Sequence, residues 1–257
     1  MAEVLVSVAG FDPSGGAGVL LDVAVFRSFG FPGAAVLTAV TAQNSRSVQA
    51  IRNLGGRFLG RQYETLVEDV ALAGVKVGML GGLENIAVLG RILDDQRHLP
   101  IVVDPVFRSS SGRWLLEKKS IPAYLDRIKG RITLLTPNLD EAALISGRPL
   151  RRPEDMQEAA LLIAERVASP CLVKGGHLAA GKVVDVLCDG QRCVPFPHGK
   201  RAEDVHGTGC LLSSSLLCYL VMRKPLIEAC SLAIDFTQRA MKRARRLGKG
   251  RAVFTVF

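Results

Sequence analysis

The sequence predicts a single α/β/α domain in which helices cover both faces of a mostly parallel sheet. Strand-like apolar runs alternate with helix-like segments from one end of the 257 residues to the other. The strand runs are apolar on both faces, as in parallel sheets buried between helix layers. Because no linker, repeat or low-complexity segment interrupts the chain, we predict one domain.

In the first half of the chain, β-rich apolar runs predict strands and the segments between them predict helices. The first strand ends in a glycine turn, and an edge hairpin segment follows the second. The expected order is strand 3–10, helix 16–30, strand 34–42, hairpin segment 48–54, helix 57–70, strand 74–80, helix 83–96 and strand 99–106.

The second half continues the alternation and ends in helices. The Thr136-Pro137 pair stops one strand, and an Asp-Gly turn at residues 189–190 predicts a hairpin. The expected order is strand 131–138, helices 138–146 and 153–166, strand 170–176, hairpin 182–196, and helices 208–223 and 225–247.

Polar and glycine residues follow several of these strands directly. Ligands of open α/β sheets bind outside the carboxyl ends of the strands, so these residues mark the expected site. They are residues 10–12, 43–44, 104–105, 137–138 and 175–176.

The segment "HGTGC", residues 206–210, precedes an apolar helix. The first N–H groups of a helix lack intrahelical partners, and glycines let them face an anion. We therefore expect Gly207, Thr208, Gly209 and Cys210 to cradle a transferring phosphoryl group. The same position is expected to lower the pKa of the Cys210 thiol, so that it accepts a proton. The alternative is a plain turn with a small buried cysteine.

The segment "AGFDPSGGAG" opens another helix but lacks both the dinucleotide fingerprint and the phosphate-loop ending. Asp22 in that helix either binds a polar ligand or favours the helix dipole. Asn138 and Glu141 share a helix face and either organise a hydrated Mg²⁺ or form a capping box. Asp104 is a further candidate for the metal, and Lys174 for a nucleotide phosphate. Their alternatives are a buried capped aspartate and a surface lysine.

Charge and composition narrow the classes of function. The net charge of +9 owes much to residues 239–251, which we interpret as the solvated face of a terminal helix. Since no aromatic residues interleave with these charges, we expect no nucleic-acid partner. No run is long enough to span a bilayer and the N-terminus lacks a signal peptide, so we expect no membrane partner and a cytoplasmic location. Cys188 and Cys193 are expected to be free thiols in a reducing cytosol.

Seven segments together resemble the hydroxymethylpyrimidine/phosphomethylpyrimidine kinases of thiamine biosynthesis, in the ribokinase superfamily. They occur in that family's order and spacing and span nearly the whole chain. They are "AGFDPSGGAG", "TAVTAQNS", "KVGML", "VVDPV", "TPNLDEA", "VKGGH" and "HGTGC". The resemblance implies a ribokinase-like fold, a homodimer, and ATP-dependent phosphorylation of a pyrimidine hydroxymethyl group and then of its monophosphate.

The resemblance also implies a role for each matching position. Residues 207–210 correspond to the anion hole, and Cys210 stands where other ribokinase-like enzymes have an aspartate. The pyrimidine-contacting positions are Gly10, Asp22, Gln43, Met79 and Val106. The remaining positions are Lys174, His206 and Asp204 for ATP, and Asp104, Asn138 and Glu141 for Mg²⁺. The adenine is expected between the hairpin after residue 182 and the last two helices.

Two positions depart from the family pattern. Ser110 stands where a lysine is expected after "DPV", which leaves Arg108 or Arg113 to supply that charge. Asp204 precedes "VHGTGC" in place of an asparagine, where it tunes the grip on the nucleotide or faces solvent. Pyridoxal kinase and a non-catalytic ligand-binding protein of the same fold are the alternatives to be separated by experiment.

Overall fold

The structure is a computed structural model that describes residues 3–109, 111–176, 182–199 and 205–255. Its strands are β1 (Val4–Phe11), β2 (Gly33–Gln43), β3 (Val48–Asn53), β4 (Leu72–Val77), β5 (Ile101–Val103), β6 (Leu134–Leu135), β7 (Cys171–Val173), β8 (Lys182–Cys188) and β9 (Cys193–Gly199). Its helices are α1 (Gly18–Ser28), α2 (Gly56–Val67), α3 (Leu83–Asp95), α4 (Ile121–Ile128), α5 (Leu139–Ser146), α6 (Pro153–Val167), α7 (Thr208–Val221) and α8 (Leu226–Met241).

Within the described residues the strands form one sheet in the order β3-β2-β1-β4-β5-β6-β7-β8-β9. The pairs from β2 through β7 are parallel. Antiparallel strands complete both edges, with β3 on one side and the β8–β9 hairpin on the other. The mostly parallel sheet and the hairpin agree with the prediction.

Helices pack on both faces, which gives the predicted three layers. One face carries α2 to α6, and its core includes Val75, Val103 and Leu135. The other face carries α1, α7 and α8, and its core includes Val102 and Leu216. Neighbouring residues of β5 thus point into opposite cores, which explains why the strand runs are apolar without alternation.

Two helices differ from the expectations. Helix α4 was not anticipated, although Ile121, Tyr124, Leu125 and Ile128 are buried at helical spacing. Helix α8 ends at Met241, and the chain then turns back so that Arg245 pairs with Val253. The prediction of a terminal helix to residue 247 is therefore wrong.

Cys188 and Cys193 form a disulfide, so the prediction of two free thiols is also wrong. The two residues are direct partners in the antiparallel β8–β9 register, with Cα atoms 4.2 Å apart. The short Asp-Gly hairpin makes the two cysteines direct neighbours, and this proximity outweighs the expectation from a reducing cytosol. No helix in the described ranges is long and apolar enough to cross a membrane.

Candidate active site

A cavity of about 710 Å³ opens at the carboxyl ends of the parallel strands. It receives residues from the turn after β1, the end of β2, the segment after β5, the start of α5 and the start of α7. The predicted residues that line it are Gly10, Gln43, Met79, Asp104, Val106, Asn138, Glu141, Lys174, His206, Gly207, Gly209 and Cys210. The structure therefore brings these residues together at the carboxyl ends of the parallel strands, where the sequence predicts the site.

The N-terminus of α7 is built on a glycine that no other residue replaces without strain. Gly207 has φ of 85°, and a Cβ there would collide with the carbonyl oxygen of Gly16. No side chain caps the helix at Gly207. Thr208 donates its hydroxyl to Val205 O at 2.8 Å, so its side chain points back along the chain. This geometry suits amides that bind an anion from the cavity.

Gly209 lets the backbone of the same turn approach the Lys174–Asp104 pair closely. A Cβ at this position would lie 3.2 Å from Lys174 Nζ and 3.3 Å from Asp104 Oδ2. The start of α7 and the Lys174–Asp104 pair therefore lie close to each other. An anion at the helix terminus would be in reach of the lysine.

The Cys210 thiol does not behave as the helix-terminus argument predicts. Desolvation raises the pKa of Cys210 to about 11, although Lys76 and the N–H of Gly18 act in the opposite direction. Asp22 and Asp104 add to the increase. The expected lowering of the thiol pKa is therefore wrong, because burial and two carboxylates outweigh the helix terminus.

Asp22 lies beneath the cavity and not in its lining, which corrects its assignment to the pyrimidine. Its carboxylate is fully buried and accepts hydrogen bonds from Lys76 Nζ at 2.8 and 3.0 Å. Ser7 and Ser214 donate their hydroxyls to it at 2.6 and 2.8 Å. All the described bonds of Asp22 are therefore internal, and the residue organises the floor of the site.

Lys76 is a residue that the sequence analysis missed. It is fully buried in β4 and lines the cavity close to Cys210, and Asp22 raises its pKa above the ordinary value despite burial. A lysine inside an otherwise apolar strand was the available signal, since buried charges need a specific partner.

His206 belongs to a cluster with Asp12 and Gln43, whereas the sequence placed it with the nucleotide. Its Nε2 lies 2.8 Å from Asp12 Oδ2 and 3.0 Å from the Gln43 amide nitrogen, which also donates to Asp12 at 3.0 Å. Although burial favours the neutral acid, hydrogen bonds from His206 and Ser14 hold the pKa of Asp12 below its usual range. The polar atoms of this cluster line the cavity beside Gly10.

Met79 forms the apolar wall next to this cluster. It packs with Ala39 and Leu115, and Val106 and Ile51 lie against them. A Cβ at Gly10 would lie 3.0 Å from Met79 Sδ, so the glycine keeps the wall close to the β1 backbone. One half of the cavity thus combines an apolar wall with a hydrogen-bonding edge, as a flat heteroaromatic ring requires.

The other half of the cavity is charged. Lys174 Nζ donates to Asp104 Oδ1 at 2.7 Å, and Asp104 and Glu141 raise the pKa of Lys174 although burial opposes this. Burial, together with Asp104, raises the pKa of Glu141 to about 8. A cation bound beside Glu141 would favour its ionised form, so this region can accept a further positive charge together with the loss of the Glu141 proton.

Asn138 and Glu141 form the capping box of α5. Asn138 N donates to Glu141 Oε2 at 2.8 Å, and Glu141 N donates to Asn138 Oδ1 at 2.9 Å. The described residues contain no group of three or more His, Cys, Asp or Glu side chains placed to hold a metal. Asp104 and Glu141 fit a Mg²⁺ that keeps most of its waters, rather than an ion enclosed by protein ligands.

Two of the named positions lie outside the described residues: Asp204 and Ser110. Arg108 and Arg113, the two candidates to replace the expected lysine, lie inside them. Arg108 lines the cavity, whereas Arg113 donates to the carbonyl oxygens of Val48 and Gln49 at 3.2 and 2.6 Å. Arg251 also lines the cavity, although the sequence placed it on a solvated helix face.

The fold and the two-part cavity define a small-molecule kinase of the ribokinase-like class, and comparison with known structures agrees. A pyridoxal kinase from Staphylococcus aureus, in complex with AMP-PCP and pyridoxal, superposes with a TM-score of 0.90 at 27% identity, over 99% of this chain and 93% of that one. The phosphomethylpyrimidine kinase of Clostridium difficile superposes with a TM-score of 0.81 at 30% identity, over 93% and 99%.

Sequence comparison then identifies the family. The phosphomethylpyrimidine kinase family model matches residues 12–255. The hydroxymethylpyrimidine/phosphomethylpyrimidine kinase of Aquifex aeolicus is 37% identical over 248 residues, which are 96% of this chain and 97% of that protein. The enzyme of the same description from Rhizobium meliloti is 37% identical over 257 residues, 98% and 96% of the two chains. The chain belongs to the phosphomethylpyrimidine kinase family.

Proposed function

We propose that the protein uses ATP to phosphorylate 4-amino-5-hydroxymethyl-2-methylpyrimidine and then its monophosphate, in thiamine biosynthesis. The observation that carries the proposal is the division of one cavity into a ring-binding half and a charged half. Cys210, at the start of α7, lines the same cavity. The names of the relatives support the substrate class, and the two halves of the cavity support the assignment of the ring to one half and of the phosphates to the other.

The ring-binding half matches an aminopyrimidine. The ring would pack against Met79 and Val106, with its polar edge toward Gln43 and the backbone at Gly10. An amide offers both a donor and an acceptor, which is the pattern of an amino group beside a ring nitrogen. Asp12 and His206 orient Gln43 from behind.

The charged half would hold the ATP phosphates. Lys174 and the amides of residues 207–210 would bind the phosphoryl oxygens, and removing one such donor costs on the order of 100-fold in rate. Mg²⁺, when bound through Asp104, Glu141 and water, supplies neutralisation of the phosphate charge. The Asn138 capping box keeps the Glu141 carboxylate in place. We also propose that Asp204 contributes to nucleotide binding and that the adenine lies between the β8–β9 hairpin and the last two helices.

Cys210 is the proposed acceptor of the hydroxymethyl proton. Its raised pKa means that the thiol is the resting form and that only a small fraction is thiolate near neutral pH. In a loose phosphoryl-transfer transition state the acceptor proton is lost late, so a rare thiolate can still act. Turnover of the hydroxymethyl substrate would then increase with pH.

A second copy of the chain is the proposed partner, and the cytoplasm the proposed location. Phe58 and Leu83, at the starts of α2 and α3, are 54% and 59% exposed, and Glu84 accepts a hydrogen bond from Gly56 that joins the two starts. This apolar face suits a homodimer. Analytical ultracentrifugation of the wild type and of a Phe58→Glu variant would test it, because a monomeric wild type contradicts the proposal.

A coupled ADP-release assay with three acceptors tests the proposed activity. Hydroxymethylpyrimidine and its monophosphate are expected to be turned over with a higher kcat/KM than pyridoxal. Preference for pyridoxal would instead favour the second candidate, pyridoxal kinase, which the superposition with the Staphylococcus aureus enzyme supports. ATP consumption that no acceptor stimulates would reject both.

A further inference from the structure

The segment after β5 lines the cavity from Val106 to Ser109. Phe107 is 1% exposed and its ring packs edge-on against Tyr124 at 5.5 Å in the core, which anchors the segment. Its neighbours Val106 and Arg108 both line the cavity. Arg108 therefore lies next to the residue that we assign to the pyrimidine ring.

A short hairpin fixes Arg108 in this position. Arg108 pairs with Trp114 as antiparallel bridge partners, and Ser109 N donates to Arg113 O at 2.8 Å. The Arg108 guanidinium stacks 3.9 Å above the Trp114 ring. Stacking orients the plane of the guanidinium but leaves its N–H groups for hydrogen bonding.

Three other cations at or near the cavity are already engaged, and Arg251, which also lines it, has interactions of its own. Lys76 is paired with Asp22, and Lys174 with Asp104. Arg113 donates to two backbone carbonyls. Within the described residues, Arg108 has no carboxylate or carbonyl partner, and its one described side-chain contact is the Trp114 ring. An arginine with free donors at the wall of a cavity is suited to a ligand anion.

The two proposed transfers differ in their need for such a cation. The hydroxymethyl acceptor is uncharged, whereas the phosphomethyl acceptor carries a charge of about −1.5 to −2 at pH 7. In the second transfer, an acceptor phosphate oxygen bonds to the γ-phosphorus while the bond to the bridging oxygen breaks and its electron pair leaves with ADP. The attacking oxygen is already deprotonated, so this step requires charge neutralisation and no base.

We propose that Arg108 binds the phosphate of the monophosphate acceptor and thereby sets the preference of the site for phosphorylated over unphosphorylated pyrimidine. This inference rests on the proposed function and assigns one part of it to a residue outside the family pattern. It also assigns the charge of the expected lysine to Arg108 and not to Arg113, an alternative that the sequence left open. Trp114 acts as the positioning residue that orients the guanidinium.

The test compares Arg108→Met and Arg108→Lys with Arg97→Met as the matched control, because Arg97 is exposed between α3 and the amino end of β5, whereas the cavity opens at the carboxyl ends of the strands. For each protein, kcat/KM is measured for both pyrimidine acceptors. Arg108→Met is expected to shift the ratio about tenfold or more against the monophosphate, as for loss of one charge-assisted contact. Arg108→Lys should recover part of the shift, and Arg97→Met should match the wild type.

Fluorescence provides a readout that does not depend on turnover. Trp114 is the one tryptophan of the chain, so its emission reports on the stacked guanidinium. Titrating the monophosphate into the wild type with ADP present should change this emission, and titrating it into Arg108→Met should change it far less.

The outcomes separate the two proposals. An unchanged acceptor ratio in Arg108→Met, or a wild type that phosphorylates only the hydroxymethyl substrate, overturns the role of Arg108. If the wild type phosphorylates neither pyrimidine, the proposed function fails and the fluorescence titration decides the inference. An Arg108-dependent emission change then supports it, and the lack of one overturns it.

Discussion

At the scale of single residues, Cys210 shows how burial can reverse an argument from helix position. A helix N-terminus favours a thiolate, but here desolvation and the nearby Asp22 and Asp104 carboxylates favour the thiol, and the pKa of Cys210 is raised to about 11. The positive charge of Lys76 acts in the opposite direction and lowers the pKa of Cys210. The balance is set by residues from three other segments, α1, β4 and the end of β5, which the local sequence around "HGTGC" does not contain.

This balance predicts a pH dependence. Below pH 11 the thiolate fraction increases about tenfold per pH unit, so kcat for the hydroxymethyl acceptor should increase with nearly that slope between pH 7 and 9. Cys210→Ala should keep the fold and lose most of this turnover. Cys210→Asp, which carries an ionised carboxylate, should flatten the profile. Steady-state rates at saturating ATP would check this.

The monophosphate acceptor provides the internal control, because its attacking oxygen has no proton to lose. A wild-type profile that is equally flat for both acceptors, or a Cys210→Ala enzyme with unchanged turnover, would reject Cys210 as the base.

At the scale of elements, one buried ion pair joins the floor of the site. Lys76 of β4 and Asp22 of α1 are both fully buried, and Ser7 of β1 and Ser214 of α7 complete the hydrogen bonds of the carboxylate. Ser214 is one turn after Cys210, so the same helix carries the thiol and a donor to Asp22. The pair therefore ties four elements together beneath the cavity.

Removing one partner should be far more costly than removing both. Lys76→Met leaves an uncompensated buried carboxylate and is expected to reduce the free energy of unfolding by about 3–5 kcal/mol. The double variant Lys76→Met/Asp22→Leu should recover much of that loss. Urea denaturation of the single and double variants measures the coupling, and additive losses would show that the two charges do not interact.

At the scale of the whole molecule, the C-terminal segment, residues 250–255, packs beside the ring-binding half of the cavity. His206 N donates to Ala252 O at 2.9 Å, and Arg251 N donates to Ser45 O at 3.0 Å. Ala252, Val253 and Phe254 are all buried. The segment thus holds the backbone of His206. The charged residues before it are exposed as expected, namely Lys242, Arg243, Arg245, Arg246 and Lys249, but they follow the end of α8 and do not form a helix face.

Deleting residues 250–257 is therefore expected to reduce stability by on the order of 3 kcal/mol, from the loss of buried Val253 and Phe254. The KM for the pyrimidine should increase because His206 loses its backbone anchor. Differential scanning fluorimetry and acceptor titrations measure the two effects.

The control for that deletion neutralises charge without removing the segment. Arg243, Arg246 and Lys249 are exposed, so replacing all three with glutamine should leave both Tm and KM near wild-type values. If the deletion behaves like this triple variant, the segment is only solvated surface, as the sequence suggested.

The sequence by itself determined the fold class, the carboxyl ends of the strands as the place of the site, and twelve of the residues that line the cavity. The fold class and the place follow from periodicity, because a strand end and a helix start are fixed by neighbours along the chain, and several of the twelve residues follow from the family resemblance. Tertiary structure decided the position of Asp22 beneath the cavity, the placement of His206 with Asp12, the raised pKa of Cys210 and the engagement of Arg113 with backbone carbonyls. Each of those depends on charges and packing surfaces that are distant in sequence, and no local pattern encodes how they meet.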